Sequence, residues 1–313
     1  MSRTFAVVFP GQGSQSLGMS DALAEAFPQV KALYEEASDA LGMDLWKLVH
    51  EGPKEALDRT ENTQPAMLTA GVAVWRVWEA QGGPRPQVMA GHSLGEYSAL
   101  VAADALAFAD AVQLVAARGR FMQEAVPEGS GAMAAILGLD DETVRELCAR
   151  AAEGEVVEAV NFNAPGQVVI AGGKAAVQRA MTLAKEAGAK RALPLPVSVP
   201  SHCSLMAPAA ERLAERLADV PLRPPRPPVL HNVDVASARE PEALRDKLVR
   251  QLHSPVRWVE TVQAMAGQGV DAVIECGPGK VLTGLGRRID KNLTFLPVFD
   301  PASLEKALEE IHA

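Results

Sequence analysis

The chain has 313 residues and a formal net charge of −9, with 30 Lys and Arg against 39 Asp and Glu, which disfavours a nucleic-acid partner because phosphates need a basic face. Hydrophobic residues at 48% and charged residues at 22% suit a soluble globular protein, and no apolar run approaches the roughly 20 residues a membrane span needs. Cys148, Cys203 and Cys276 are odd in number and widely spaced, which argues against a disulfide framework and against a Cys-x-x-Cys metal or redox site.

This length predicts one large domain plus something smaller. Phe5 to Phe9 reads as a buried strand ended by Pro10-Gly11. The run is too short for the apolar region of a signal peptide, so a cytoplasmic protein is expected, as a monomer. The loop GQGSQ follows, then a helix over 20–41 and a second over 65–79, broken by Gly82-Gly83-Pro84. Val88 to Ala90 predicts the next strand, with helices over 94–103 and 110–125 after it.

Between Gly131 and Val199 the rhythm changes. AMAAILGL, EVVEAVNF, QVVIA and ALPLPVS read as strands, with helices at DDETVRELCARA and KAAVQRAMTLAKEA. The order β-α-β-β-α-β is the ferredoxin-like signature, which predicts a second domain over 128–198 inserted into a first formed by 1–127 and 199–313. After it, α/β alternation resumes: a helix from Ser204, the connector PLRPPRPP, strand VLHNVD, two helices, strand DAVIEC, a helix, strand TFLPVF and a final helix.

Two glycine motifs follow predicted strands. GQGSQ is a poor phosphate cradle: Gly18 is followed by Met19 where a Walker loop needs lysine, and Ser16 stands where a Rossmann turn needs its third glycine. Taken alone it is equally a tight turn or a functional loop. GHSLG, by contrast, has the G-x-S-x-G pattern between a strand and a helix, the context of a nucleophile elbow, and makes Ser93 the candidate nucleophile. A serine hydroxyl needs a histidine to take its proton. Of the six histidines, His92 adjoins Ser93 but neighbouring side chains on a sharp turn diverge; His202 lies where the chain re-enters the large domain, at an expected cleft wall, and is the better candidate. A hydrogen-bonded structural role is the alternative for each histidine.

With these residues in view, the chain resembles the bacterial malonyl-CoA:acyl carrier protein transacylases of fatty acid synthesis. The likeness runs through FPGQGSQ, AGHSLGEYSAL, ARGRFMQEA, NFNAPGQVVIAG, PVSVPSHCSLM, QLHSPVRW and IECGPGKVLTGL, in that order and over nearly the whole chain. It implies an α/β-hydrolase-like core with a ferredoxin-like insert, and transfer of a malonyl group through a malonyl-serine at Ser93 with His202 as general base and acid. It further implies an oxyanion hole from the backbone N–H groups of Gln12 and Leu94, and a backbone carbonyl at Gln251 orienting His202. Arg118, otherwise a snorkelling surface arginine, would bind the free malonyl carboxylate through its planar fork. Malonyl-CoA and acyl carrier protein are the implied partners, with no cofactor and no metal. The residues before the histidine, Val199-Pro200-Ser201, lack the bulky aromatic common in polyketide relatives, which leaves open the choice of extender unit.

Acyl carrier proteins are acidic and so is this chain, so docking needs a local basic patch. Lys190, Arg191, Lys280, Arg287 and Arg288 are the candidates, with solvated charges on helix ends as the alternative. A serine esterase or thioesterase shares the elbow, but its histidine normally lies near the C-terminus and it has no use for Arg118. A non-catalytic carrier-binding module is opposed by the intact Ser93 and His202.

Overall fold

The computed structural model describes residues 3–197 and 199–313; Ser198, placed by the sequence at the end of the inserted domain, lies outside them. In chain order come β1 (Phe5–Phe9), α1 (Asp21–Ala26), α2 (Gln29–Leu41), α3 (Leu45–Glu51), α4 (Lys54–Leu57), α5 (Thr60–Ala80), β2 (Val88–Gly91), α6 (Gly95–Ala102) and α7 (Phe108–Glu124). Next are β3 (Gly131–Leu137), α8 (Asp141–Ala152), β4 (Val157–Ala164), β5 (Gln167–Gly173), α9 (Lys174–Glu186) and β6 (Arg191–Pro194). The chain then runs through α10 (Ala207–Ala218), β7 (Val229–Leu230), α11 (Pro241–Gln251), α12 (Trp258–Gly267), β8 (Ala272–Cys276), α13 (Val281–Ile289), β9 (Thr294–Val298) and α14 (Pro301–His312).

Five strands pair in parallel in the order β7-β2-β1-β8-β9. Helices cover both faces, which is why these strands read as unbroken apolar runs. Phe5, Val7 and Phe9 of β1 enter one core with α2, α5 and α7; Ala6 and Val8 enter another with Trp258 and Val262 of α12 and Leu282 of α13. Sequential strands lie on both sides of β1, so the loops after β1 and β2 leave the sheet at the crevice where α/β sheets bind their ligands.

β3 to β6 form a separate antiparallel sheet in the order β4-β5-β3-β6. One face packs on α8 and α9 through Ile136, Val144, Leu147 and Val177. The other carries Met133, Val160 and Val169 against Cys203, and so closes over the large sheet's crevice.

Several element boundaries differ from those expected. The single helix over 20–41 is two, because Phe27 before Pro28 is extended (φ −132°, ψ 97°), as the proline ring demands of its predecessor. α3 and α4 occupy a stretch with no predicted element. α5 begins at Thr60, five residues before the expected start, and keeps Pro65 inside it; Thr63 Oγ1 donates back to the Leu57 carbonyl at 2.5 Å and ties this first part down. β7 ends at Leu230 instead of running to Asp234, because the next two residues bind a buried side chain rather than the ladder.

Candidate active site

β2 hands the chain to Gly91-His92-Ser93-Leu94-Gly95, and α6 starts at once. A Cβ on Gly91 would lie 1.8 Å from the Gly95 carbonyl carbon, and one on Gly95 would lie 2.0 Å from the Phe9 carbonyl oxygen, so neither position accepts a side chain. The tight turn puts Ser93 in the left-handed region at φ +52°. Its carbonyl accepts from Gln251 Nε2 and from the Glu96 N–H, both at 3.0 Å. A trans peptide points its C=O and N–H in opposite directions, so the Leu94 N–H is turned away from these donors. Among the described residues neither it nor the Gln12 N–H, from the loop after β1, has a protein acceptor, and both residues line one cavity with Ser93.

His202 reaches this cavity from the far side. Its Nε2 is 2.7 Å from Ser93 Oγ and its Nδ1 is 2.8 Å from the Gln251 backbone carbonyl. The carbonyl can only accept, so Nδ1 carries the proton and Nε2 is free to accept from the serine. His202 is itself left-handed, at φ +68°, and its backbone N–H is tied to the Leu252 carbonyl at 3.1 Å. His92 diverges as expected of an elbow neighbour: its Nε2 is 2.7 Å from Asn163 Oδ1 and its ring stacks at a tilt, 5.4 Å from that of Trp258.

Arg118, on α7, is buried at 1% exposure rather than lying on the surface. One guanidinium nitrogen donates to Gln64 Oε1 at 2.9 Å; the other donates to Gln251 Oε1 at 3.0 Å and approaches Ser93 Oγ at 3.4 Å. Its Nε has no hydrogen-bond partner, and among the described residues no carboxylate pairs with it. Taking a guanidinium out of water without a counter-ion is unfavourable by several kcal/mol, so the arrangement is a ready anion site beside a hydroxyl. The cavity that joins these groups has a volume of about 110 Å³ and is walled by Met133 and Leu195 of the small sheet side. It shares Gln12, Thr60, Val197 and Val199 with an outer cleft of about 570 Å³.

Burial and the neighbouring Arg118 charge push the His202 pKa down to about 3, against the weaker opposing effect of its bond to Gln251. Burial lowers that of His92 as well. The unfolded chain takes up protons on these rings near pH 6.5 while folded His202 stays neutral down to about 3, so stability is lost as pH falls through that window. Between pH 7 and 5, His202 contributes a loss of about 2 kcal/mol, which urea unfolding of wild type and His202→Asn at both pH values reads as a smaller loss in the variant. An equal loss in both proteins would mean that His202 is protonated in the folded state.

The structure therefore brings together Gln12, Ser93, Leu94, Arg118, His202 and Gln251. It adds three side chains that sequence reasoning missed: Gln64 on Arg118, and Glu96 and Asn232 beneath the elbow. Glu96 stands in GHSLGE itself and is wholly buried, while Asn232 sits at the carboxyl end of β7, where a polar residue is a signal in an α/β sheet. The basic candidates do not form one patch. Arg191 opens β6 and Lys190 precedes it, with the Lys190 stem over Gly138, whose N–H donates to the Gly166 carbonyl at 2.8 Å. Arg288 reaches the same end of the small sheet, donating to the Pro165 carbonyl at 3.2 Å and to Gln167. Arg287 turns instead to the Phe295 carbonyl at 3.2 Å, and Lys280 lies at the opposite end of α13, roughly 10 Å away along its axis.

The acyl transferase domain family matches residues 6–293. The malonyl CoA-acyl carrier protein transacylase of Escherichia coli strain K12 is 59% identical over 305 residues, covering 97% of this chain and 99% of that protein. Its counterpart in Bacillus subtilis strain 168 is 47% identical over 98% of this chain and 96% of its own length. The solved transacylase of Coxiella burnetii superposes with a TM-score of 0.99 at 51% identity, over 100% of this chain and 99% of that one. A malonyl-transacylase in complex with a type II PKS acyl-carrier protein superposes at 0.97 with 58% identity, over 98% of this chain and 99% of that one. With an elbow serine, its histidine and a buried unpaired arginine in one cavity, and with this identity from end to end, the chain belongs to the malonyl CoA-acyl carrier protein transacylases of the acyl transferase family.

Proposed function

We infer that Ser93, His202 and Arg118 carry out a malonyl transfer from coenzyme A to the phosphopantetheine thiol of an acyl carrier protein, in fatty acid synthesis. The protein is a malonyl CoA-acyl carrier protein transacylase. Ser93 Oγ attacks the thioester carbonyl while its proton passes to His202 Nε2, across the 2.7 Å already between them. The tetrahedral oxyanion is met by the N–H groups of Leu94 and Gln12. The carbon–sulfur bond then breaks, His202 returns the proton to the leaving coenzyme A thiol, and a malonyl ester remains on Ser93. The carrier thiol reverses the sequence: it gives its proton to His202, attacks the ester and leaves Ser93 protonated again. All of these groups belong to the protein, so the scheme needs no cofactor.

The observation that carries this reading is Arg118, a buried cation that pairs with no carboxylate among the described residues, within 3.4 Å of the nucleophile's oxygen. A malonyl carboxylate supplies the missing charge. It also offsets the repulsion that Arg118 exerts on a protonated His202, so the histidine becomes a stronger base when the correct substrate is in place. The test is intact mass after brief incubation with malonyl-CoA. A malonyl adduct on Ser93, discharged by carrier thiol faster than by water, is expected; discharge by water at the same rate would make the enzyme a thioesterase.

We read the large parallel sheet with its helices, 1–127 and 199–313, as an α/β-hydrolase-like domain and 128–198 as a ferredoxin-like insertion. The element order β-α-β-β-α-β and the spatial order β4-β5-β3-β6 support the second description. Three free, buried cysteines suit a reducing compartment, and among the described residues no helix is long and apolar enough to cross a membrane. We take the enzyme to be cytoplasmic and monomeric.

The carrier is proposed to dock at the end of the small sheet that holds Lys190, Arg191 and Arg288. Charge reversal, as Lys190→Glu or Arg288→Glu, is expected to raise the carrier KM by about three- to tenfold and leave the malonyl-CoA KM unchanged. Lys280→Glu serves as the comparison, because its side of α13 lies apart from that patch. Steady-state kinetics with each substrate varied in turn decides it, and equal effects on both KM values would remove these residues from the interface.

A further inference from the structure

Asn232 touches neither Arg118 nor the ring of His202, yet both polar atoms of its side chain are committed to the elbow. Oδ1 accepts from the Ser93 N–H at 2.8 Å, and Nδ2 donates to the Gly91 carbonyl at 2.7 Å. Both partners are backbone groups of fixed role, so the amide has only one orientation that satisfies them. Asn232 is wholly buried, and so are Glu96 and His231. Glu96 Oε2 accepts from the Asn232 N–H at 2.8 Å and from Gln251 Nε2 at 3.1 Å, while Oε1 pairs with His231 Nδ1 at 2.6 Å. Glu96 therefore clamps the end of β7 to α6, the helix that begins at the elbow.

The clamp has a job to do because Ser93 is left-handed, a conformation disfavoured for a serine unless its surroundings enforce it. Relaxation of this one residue would carry Oγ away from His202 Nε2 and swing the Leu94 N–H out of the cavity. The Asn232 bond to the Ser93 N–H and the Gln251 bond to the Ser93 carbonyl hold the two peptide groups that flank the nucleophile. A buried carboxylate is unfavourable in a core that needs only packing, and Glu96 does not line the cavity, so neither packing nor substrate contact accounts for it.

We propose that Asn232, clamped by the buried Glu96 and His231 side chains, is a positioning residue that holds the Ser93 peptide in its left-handed turn. The proposal rests on Ser93 as the nucleophile, so one of its two readouts does not use activity. Asn232→Ala is expected to lower kcat by about 100-fold while the malonyl-CoA KM stays within about threefold, since Arg118 keeps its bonds to Gln64 and Gln251, and Gln251 loses only a long 3.4 Å contact while its bonds to the Ser93 carbonyl and Glu96 remain. In thermal unfolding, Asn232→Ala is expected to lower Tm by about 6 °C in the native background and by less than about 3 °C in the Ser93→Gly background, because glycine needs no help to stay left-handed. Equal Tm losses in the two backgrounds overturn the proposal, as does an unchanged kcat. If Asn232→Ala fails to fold, recovery of a cooperative transition in the Ser93→Gly, Asn232→Ala double variant supports it, and failure of that variant too overturns it. Absence of a malonyl adduct on native Ser93 would sink the nucleophile assignment instead, and would leave the Tm comparison standing.

Discussion

Ser93→Ala is expected to abolish the malonyl-enzyme adduct, with transfer to the carrier reduced by about 10⁴-fold or more, while the protein keeps its fold. The substitution removes one oxygen. That oxygen bonds His202 at 2.7 Å and Arg118 more weakly at 3.4 Å, and no backbone bond of the elbow depends on it. Asn232 and Gln251 grip the main chain of residue 93, so the turn survives the change. His202→Ala is expected to depress the rate similarly, yet to leave a slow adduct formation from the oxyanion donors and the bound carboxylate. Rapid-quench mass spectrometry with malonyl-CoA, alongside near-UV circular dichroism, separates loss of chemistry from loss of structure. Near-normal transfer by either folded variant would break the pairing of these two residues.

Much of this arrangement could be read in the sequence because the physics that produces it is local. Strands buried on both faces, such as FAVVF, are unbroken apolar runs, and glycines that flank a serine after such a run announce a turn too tight for side chains. The small sheet was legible in its alternation of strand and helix periods. What stayed hidden was long-range pairing of polar groups. Nothing in TENTQPAM distinguishes Gln64, which grips Arg118, from a solvated glutamine at a helix start. Glu96 looks like an exposed acid in the first turn of α6, a favourable place for one, whereas it is wholly buried and tied to residues from 135 positions away. VLHNVD has the alternation of a longer strand, but its last four residues leave the sheet because Glu96 recruits His231 and Asn232. The break at Phe27 was foreseeable from Pro28; the continuation of α5 through Pro65 was not, since it depends on packing beyond the helix itself.

Arg118→Ala is expected to lower malonyl transfer by about 2–5 kcal/mol in kcat/KM while acetyl transfer stays level or improves. In the native protein the guanidinium is held by the neutral oxygens of Gln64 and Gln251, and the charge itself awaits a ligand. A malonyl carboxylate entering the cavity loses its hydration and regains two charge-assisted bonds on a planar fork; an acetyl group leaves the cation buried with no direct ion-pair partner, only the attraction of Glu96 across Gln251. This difference makes charge rather than size the basis of selection. Burial does most to hold the His202 pKa near 3 and the same charge adds to it, so removal of the charge partly relieves the base, and that gain is open to acetyl transfer, which had nothing to lose at Arg118. Arg118→Lys keeps the charge and one point of contact without the fork, and is expected to recover only part of the malonyl rate. The measurement is kcat/KM for malonyl-CoA and acetyl-CoA on the three proteins. A parallel fall of both substrates in Arg118→Ala would make Arg118 a structural residue that holds Gln251, and the selectivity would then have to come from the cavity's walls.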